Sequence, residues 1–306
     1  MVFKKQPKFV AGKKEKDEKT TKEIYSPSKF HEDWTNCRDR HPGQSEVLKA
    51  VFEDKLQYVF YRAGRKGAKT TTGIDVAWGL ANAEPNRVVY FCYPTIAQGI
   101  EVIWEERRLQ TCDQKDDYMF EKYVEKIDDS RHIVRFTNGS FIKLIGTWTE
   151  ARGRGTQPDC LIFDEFQDCN PDYIEAIDAN LAAKENAQCV IMGTPPKKRN
   201  QYEEWYDRVG SHPRGKVFHY TSYDNIRLPH LKEWLDNKKI ELIRAGKEDV
   251  WLREYMAELC YSSSDRVLPD VEFDEIETIN QKASQFAYNE RIPVLAISVH
   301  PTYLCS

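Results

Sequence analysis

The sequence predicts an α/β domain, with a mostly parallel central sheet, helices on both faces and a small, mainly helical lid subdomain. Three observations predict it. Four short apolar runs, at 58–61, 88–92, 160–163 and 189–192, are continuous rather than alternating, as strands buried on both faces of a parallel sheet are. The first of these passes through a loop with Gly64 and Gly67 into Lys69-Thr70 and then a segment of helical pattern. The third ends in two adjacent carboxylates, Asp164 and Glu165. In such sheets ligands bind beyond the carboxyl ends of the strands.

Composition bounds the function. The 306 residues suffice for one large α/β domain with appendages, or for two domains. A net charge of −4 argues against a protein that coats nucleic acid, but leaves room for a local basic stripe. No apolar run reaches membrane-spanning length, and the lysine-rich start lacks an apolar signal core. Eight cysteines are scattered without a C-x-x-C pair, so reduced thiols are expected rather than zinc or a disulfide framework.

Taken in order, residues 1–24 are rich in Lys, Glu and Thr and read as a flexible charged arm. In 25–57, Pro42 precedes Val47, Leu48, Val51 and Phe52, spaced for one face of a helix. Gln44, at its head, is either a surface residue or a reader of adenine, since its amide offers a donor and an acceptor to the base edge. The loop Ala63-Gly64-Arg65-Lys66-Gly67-Ala68-Lys69-Thr70-Thr71 then supplies backbone N–H groups for phosphate oxygens. Lys69 would reach the β- and γ-phosphates of ATP, and the Thr70 hydroxyl would bind Mg2+. Alanines fall where the strict pattern G-x-x-x-x-G-K-[ST] has glycines, at 63 and 68; Gly64 and Gly67, one place inside, would supply the missing backbone freedom. A helix over 69–83 buries Ile74, Ala77, Trp78 and Ala81.

After the strand at 88–92, Tyr93-Pro94-Thr95 stops the chain at the same sheet edge, and a helix over 97–109 follows. Asn138-Gly139 between two β-rich runs predicts a hairpin over 132–146. Arg152 and Arg154 belong either to a γ-phosphate or DNA contact or to a solvated loop. Asp164 would hold Mg2+ and Glu165 would orient and deprotonate the attacking water; the alternative is a strand end with a solvated acidic turn. Gly193-Thr194-Pro195 ends the strand at 189–192 and is either a plain strand-ending turn or a relay whose hydroxyl senses the γ-phosphate. Lys197, Lys198 and Arg199 follow directly as a candidate DNA contact. Residues 201–260 read as mostly helical with one strand at 217–220, and Trp205, Trp234, Trp251 and Tyr255 read as core. The domain should run over 25–262, with an acidic linker and a new strand at 294–299 in 263–306. Together the two nucleotide motifs specify a P-loop NTPase of the ASCE, RecA-like type.

From about Arg40 to Asp270 the chain resembles the ATPase part of a tailed-bacteriophage terminase large subunit. The resemblance is carried by Pro42-Gly43-Gln44, the arginine-bearing loop 63–70, Tyr93-Pro94-Thr95, 161–165, Gly193-Thr194-Pro195 as coupling motif, and Arg253 to Glu258. It implies ATP hydrolysis, with Mg2+, coupled to translocation of double-stranded DNA into a procapsid, and Arg65 as the catalytic arginine acting in cis. It implies a homo-oligomeric ring on a portal protein, a small terminase subunit, no membrane, and the cytoplasm of an infected bacterial host. It also implies that 294–301 opens an RNase H-like nuclease domain, with Ser298 near the expected first aspartate, so no DNA cleavage is expected of this chain. Two other readings stand beside it. A helicase or translocase core of the Asp-Glu-box type shares both motifs but needs a second series of buried strands. A weakly nucleotide-binding assembly module is suggested by Ala63 and Ala68.

Overall fold

A computed structural model of the chain describes residues 25–148 and 157–260. The expected arm at 1–24, the loop bearing Arg152 and Arg154, and the expected linker and strand after 262 lie outside the described residues. Within the described residues, eight strands form one sheet: β1 (Tyr58–Ala63), β2 (Val88–Tyr93), β3 (Val124–Asp128), β4 (Ile133–Phe136), β5 (Phe141–Gly146), β6 (Cys160–Phe163), β7 (Gln188–Gly193) and β8 (Gly215–Tyr220). Their spatial order is β3-β4-β5-β2-β6-β7-β1-β8. The stretch from β5 to β8 is parallel, and β3-β4-β5 is antiparallel. The hairpin expected around Asn138-Gly139 is the β4–β5 pair, with Gly139 at φ 85 in the turn.

Along the parallel strands the side chains alternate between two helical layers. The helices are α1 (Pro27–Asn36), α2 (Pro42–Phe52), α3 (Lys69–Ala83), α4 (Ile96–Gly99), α5 (Tyr118–Tyr123), α6 (Pro171–Leu181), α7 (Gln201–Ser211), α8 (Leu231–Arg244) and α9 (Glu248–Glu254). Val59, Tyr61, Phe91 and Met192 face a layer built by α1, α2 and α3. Phe60, Cys92, Phe163 and Ile191 face α6 and α7. Residues Leu231, Leu235, Leu242, Trp251 and Tyr255 form a separate small core between α8 and α9, which is the expected lid. In α3 nearly every residue from Thr72 to Asn82 is buried, so the helix is the hub of its layer. Trp78 is fully buried, worth about 2–3 kcal/mol by area, and its Nε1 donates to Leu109 O at 2.8 Å.

The structure corrects several expectations. The helix expected over 97–109 is only α4, capped by Thr95, followed by a π-turn at Ile100–Trp104. Beyond it the chain turns irregular, with Arg107 at φ 58, which no α-helix accommodates. Four elements, α1, α5, β3 and α6, were not read from the sequence. The helix α1 is set by the Ser26 cap, Pro27 at its start and the buried pair Phe30 and Trp34. The strand β3 is an edge strand with Glu125 and Lys126 exposed, as edge strands require. Of the four aromatics expected in the core, Trp234 is 48% exposed while the others are buried. Among the described residues no helix is long and apolar enough to cross a membrane. Cys92, Cys112, Cys160, Cys169 and Cys189 are buried thiols.

Candidate active site

Parallel register brings the ends of β1, β2, β6 and β7 to one edge. β1 and β7 align from Tyr58↔Cys189 to Arg62↔Gly193, and β2 and β6 from Val89↔Cys160 to Cys92↔Phe163. The strand bearing Gly193-Thr194-Pro195 therefore lies between the strand that leads into the Lys69 loop and the strand that ends at Asp164-Glu165. A cavity of about 930 Å3 opens at this edge. The loop residues Arg65 to Thr71 line one side of it, and Glu165, Gln167 and Thr194 to Lys198 line the other.

The loop from Ala63 to Lys69 is shaped by contacts that its sequence only partly disclosed. A Cβ at Gly64 would stand 2.2 Å from Tyr255 O, so the glycine admits the segment after α9 against the loop. A Cβ at Gly67 would meet Gly64 O at 2.9 Å. Neither glycine has a positive φ; the left-handed positions are Lys66 at φ 64 and Ala68 at φ 59, ψ 26. The expectation that Gly64 and Gly67 supply the freedom missing at Ala68 is thus corrected: they supply closeness, and Ala68 itself bears the strained backbone. Ala63 is fully buried and outside the cavity lining, and its carbonyl accepts from Lys69 Nζ at 2.8 Å.

Lys69 folds back over the loop. Its ammonium also donates to Gly64 O at 3.2 Å and to Thr194 Oγ1 at 2.9 Å. Burial pushes its pKa down, while the Glu165 and Asp164 carboxylates pull the other way. Thr70 Oγ1 donates to Asp164 Oδ2 at 2.7 Å, and Tyr93 OH donates to the same oxygen at 2.7 Å. Asp164 is fully buried, and its carboxyl pKa is raised by burial and by Glu165, against the Thr70 and Tyr93 hydroxyls and Lys69. A hydroxyl and a buried carboxylate side by side are hard oxygen donors, and the pair fits a divalent cation. Glu165 stands at φ 51, ψ 47 and accepts from Gln167 Nε2 at 2.7 Å. Thr71 Oγ1 donates to Asp113 Oδ2 at 2.8 Å, and Asp113 also accepts from Arg108 Nε at 2.7 Å.

Three expected residues sit differently from the reading of the sequence. Gln44 is fully buried and does not line the cavity; its Oε1 accepts from His41 N at 3.3 Å and its Nε2 donates to Thr72 Oγ1 at 3.2 Å. Both polar ends are engaged inside the protein, so the base-reading role is corrected to one of fastening α2 onto α3. Arg65 has a side chain 64% exposed, and its Nε donates to Glu254 Oε2 at 2.8 Å. Arg199 pairs with Glu203 at 3.2 Å, whereas Lys197 and Lys198 line the cavity. The sequence reading gave no role to Gln167, Arg108, Asp113 or Glu254. Gln167 stands two residues past Glu165 and Glu254 lies within the segment Arg253 to Glu258, whereas Arg108 and Asp113 belong to none of the motifs.

Comparison with known proteins decides the fold. No protein-family profile matches the chain, and no curated protein does. Among solved structures, the large terminase of a thermophilic bacteriophage in complex with ADP matches with a TM-score of 0.58 and 13% identity. The alignment covers 72% of this chain and 54% of that one. The large terminase ATPase domain of Thermus phage P74-26 matches with a TM-score of 0.56 and 19% identity, covering 76% of this chain and 97% of the domain. The fold is that of a large-terminase ATPase domain. The first of these terminases, in complex with ATP-gamma-S, matches over 72% of this chain and 53% of its own, with a TM-score of 0.57 at 14% identity. The chain thus spans about half the length of that terminase and nearly all of the isolated terminase ATPase domain.

Proposed function

We propose that the chain is the ATPase motor of viral DNA packaging, hydrolysing ATP to translocate double-stranded DNA into a procapsid. The observation that carries the proposal is the Thr70–Asp164 contact, which sets a buried carboxylate directly behind Thr70 where Thr70, Lys69 and Glu165 line the cavity. The cavity volume falls in the range of about 300–1,000 Å3 usual for small-molecule sites. The thermophilic-bacteriophage terminase, solved with ADP and with ATP-gamma-S, supports a nucleotide as occupant.

In this reading the N–H groups of the loop and of the first turn of α3 bind the phosphates, and Lys69 exchanges its loop carbonyls for phosphate oxygens. Thr70 and Asp164 would hold Mg2+, which when bound neutralises charge on the β- and γ-phosphates. Glu165 orients and deprotonates the attacking water, and Arg65, released from Glu254, stabilises the charge that develops. Gly193, Thr194 and Pro195 couple phosphate state to Lys197, Lys198 and Arg199, the proposed DNA contact. A ring of subunits on a portal protein, a small terminase subunit and the cytoplasm of an infected host complete the proposal.

Titration with a fluorescent ATP analogue, alongside an ATPase assay, tests it. Lys69→Ala is expected to weaken analogue binding and hydrolysis together, because the phosphates lose their buried cation. Analogue affinity unchanged in Lys69→Ala would contradict the assigned site.

A further inference from the structure

Gln167 bridges two parts of the site. It sits on the 3-10 turn Phe166–Asp168 that follows Glu165. Its Nε2 donates to Glu165 Oε2 at 2.7 Å and to Asp168 Oδ2 at 3.3 Å, and its Oε1 accepts from Thr194 N at 3.3 Å. One planar amide therefore spans the ends of β6 and β7. The space it occupies is made by Gly193, where a Cβ would come 2.6 Å from Gln167 Oε1. The backbone is held too: Gln167 O accepts from Asn200 Nδ2 at 2.7 Å, at the head of α7 and directly after Lys197 to Arg199. Thr194 Oγ1 in turn accepts from Lys69 Nζ. A continuous hydrogen-bonded path thus runs Glu165–Gln167–Thr194–Lys69.

We propose that Gln167 is a positioning residue: it aims the Glu165 carboxylate and makes that aim depend on where the Thr194 turn stands. The inference rests on the ATPase reading above. When Lys69 leaves Thr194 for a phosphate, the Thr194 hydroxyl keeps only its 3.3 Å bond to Ala63 O, and the turn shifts more easily. Gln167, bonded to Thr194 N, shifts with it and carries Glu165 to its working position. A carboxylate that must lie within hydrogen-bond reach of one water tolerates little misplacement, on the order of a hundredfold in rate for about 1 Å. The side chain of Gln167 does this with both ends of its amide, a donor toward Glu165 and an acceptor toward Thr194.

The test compares Gln167→Ala, Gln167→Glu and Glu165→Gln in the full chain. It measures kcat, KM, and the Kd of a fluorescent ATP analogue in Mg2+. Gln167→Ala is expected to lower kcat about tenfold to a hundredfold with analogue Kd within about twofold of the parent. Gln167→Glu keeps the acceptor toward Thr194 N but replaces the donor toward Glu165 by a repelling oxygen, so its kcat should fall at least as far as that of Gln167→Ala, again with analogue Kd within about twofold of the parent. A merely structural glutamine would lower kcat and analogue affinity together. If Gln167→Ala keeps parental kcat, or loses kcat and analogue affinity in equal proportion, the inference is overturned. Parental kcat in Gln167→Glu overturns it as well. The two readings separate cleanly: turnover retained in Glu165→Gln sinks the ATPase assignment itself, whereas turnover lost there with parental Gln167 variants sinks only the inference.

Discussion

Ala68 stands at φ 59 at the head of α3, where a Cβ costs about 1–2 kcal/mol. Ala68→Gly removes that cost and returns part of it through a looser unfolded chain, about 0.4–1 kcal/mol. The net expectation is a gain of about 0.5–1 kcal/mol, read as a higher denaturant midpoint at unchanged slope. A lower midpoint would contradict the left-handed assignment. Asp75 gives the opposite case. It is fully buried on α3 between Arg38 Nη2 at 3.1 Å and Arg40 Nε at 2.9 Å. Asp75→Ala takes the nearest carboxylate from two buried guanidinium groups, leaving Arg40 with backbone carbonyls and Arg38 with Cys112 O and Asp113 at 3.5 Å, so a loss of about 3 kcal/mol is expected in equilibrium unfolding. A loss below about 1 kcal/mol, the scale of an exposed pair, would show that the cluster is solvated. The residues of the phosphate loop were legible because loop and Lys-Thr are contiguous in sequence. The backbone at Ala68 was not, since alanine is a residue type that does not mark a left-handed position.

Between elements, Asp33 fastens α1 to α5. Burial pushes its carboxyl pKa up, but the Lys122 ammonium at 2.7 Å and the Tyr123 and Tyr118 hydroxyls outweigh it and hold the value at about 2. The folded value lies below the ordinary value of about 3.9, so this contact contributes its full stability above that pH. The contribution fades as pH falls toward about 2. Asp33→Asn should therefore flatten the fall of stability across that acid window and leave the slope above about pH 5 alone. An acid window as steep as the parent's would contradict the assignment. Gln44 is another fastening. With its amide engaged by His41 and Thr72, Gln44→Ala should lower stability and leave the ATP:GTP ratio of specificity constants unchanged. A lowered ratio would restore the base-reading role. The strands β1, β2, β6 and β7 were legible as unbroken apolar runs. Neither β3 nor the π-turn was, because an exposed edge strand carries charges and a π-turn has no period of its own. In the site, Thr70 and Asp164 could be paired from sequence through the order of two motifs, whereas Gln167 and Glu254 act through contacts that only the folded sheet edge creates.

At the scale of the molecule, sheet order turns separate motifs into one machine. β7 lies between β1 and β6, so the Thr194 turn touches Lys69 on one side and Gln167 on the other, with Lys197 and Lys198 leading away. If the DNA contact lies there, binding should be independent of sequence and fall steeply with salt. Joint substitution of Lys197, Lys198 and Arg199 by alanine should flatten the log–log salt slope by up to about 0.9 for each phosphate left without its cation. An unaltered slope would place the DNA track elsewhere on the molecule. The central claim is that the P-loop and the Asp-Glu strand make one ATP-hydrolysing site, and Glu165→Gln tests it most directly. In a single-turnover assay with Mg2+ and DNA, hydrolysis is expected to fall by about 10^2–10^4, because only the water-activating carboxylate is removed. Binding of a non-hydrolysable ATP analogue should remain at the parental level. Turnover within about twofold of the parent would contradict the account.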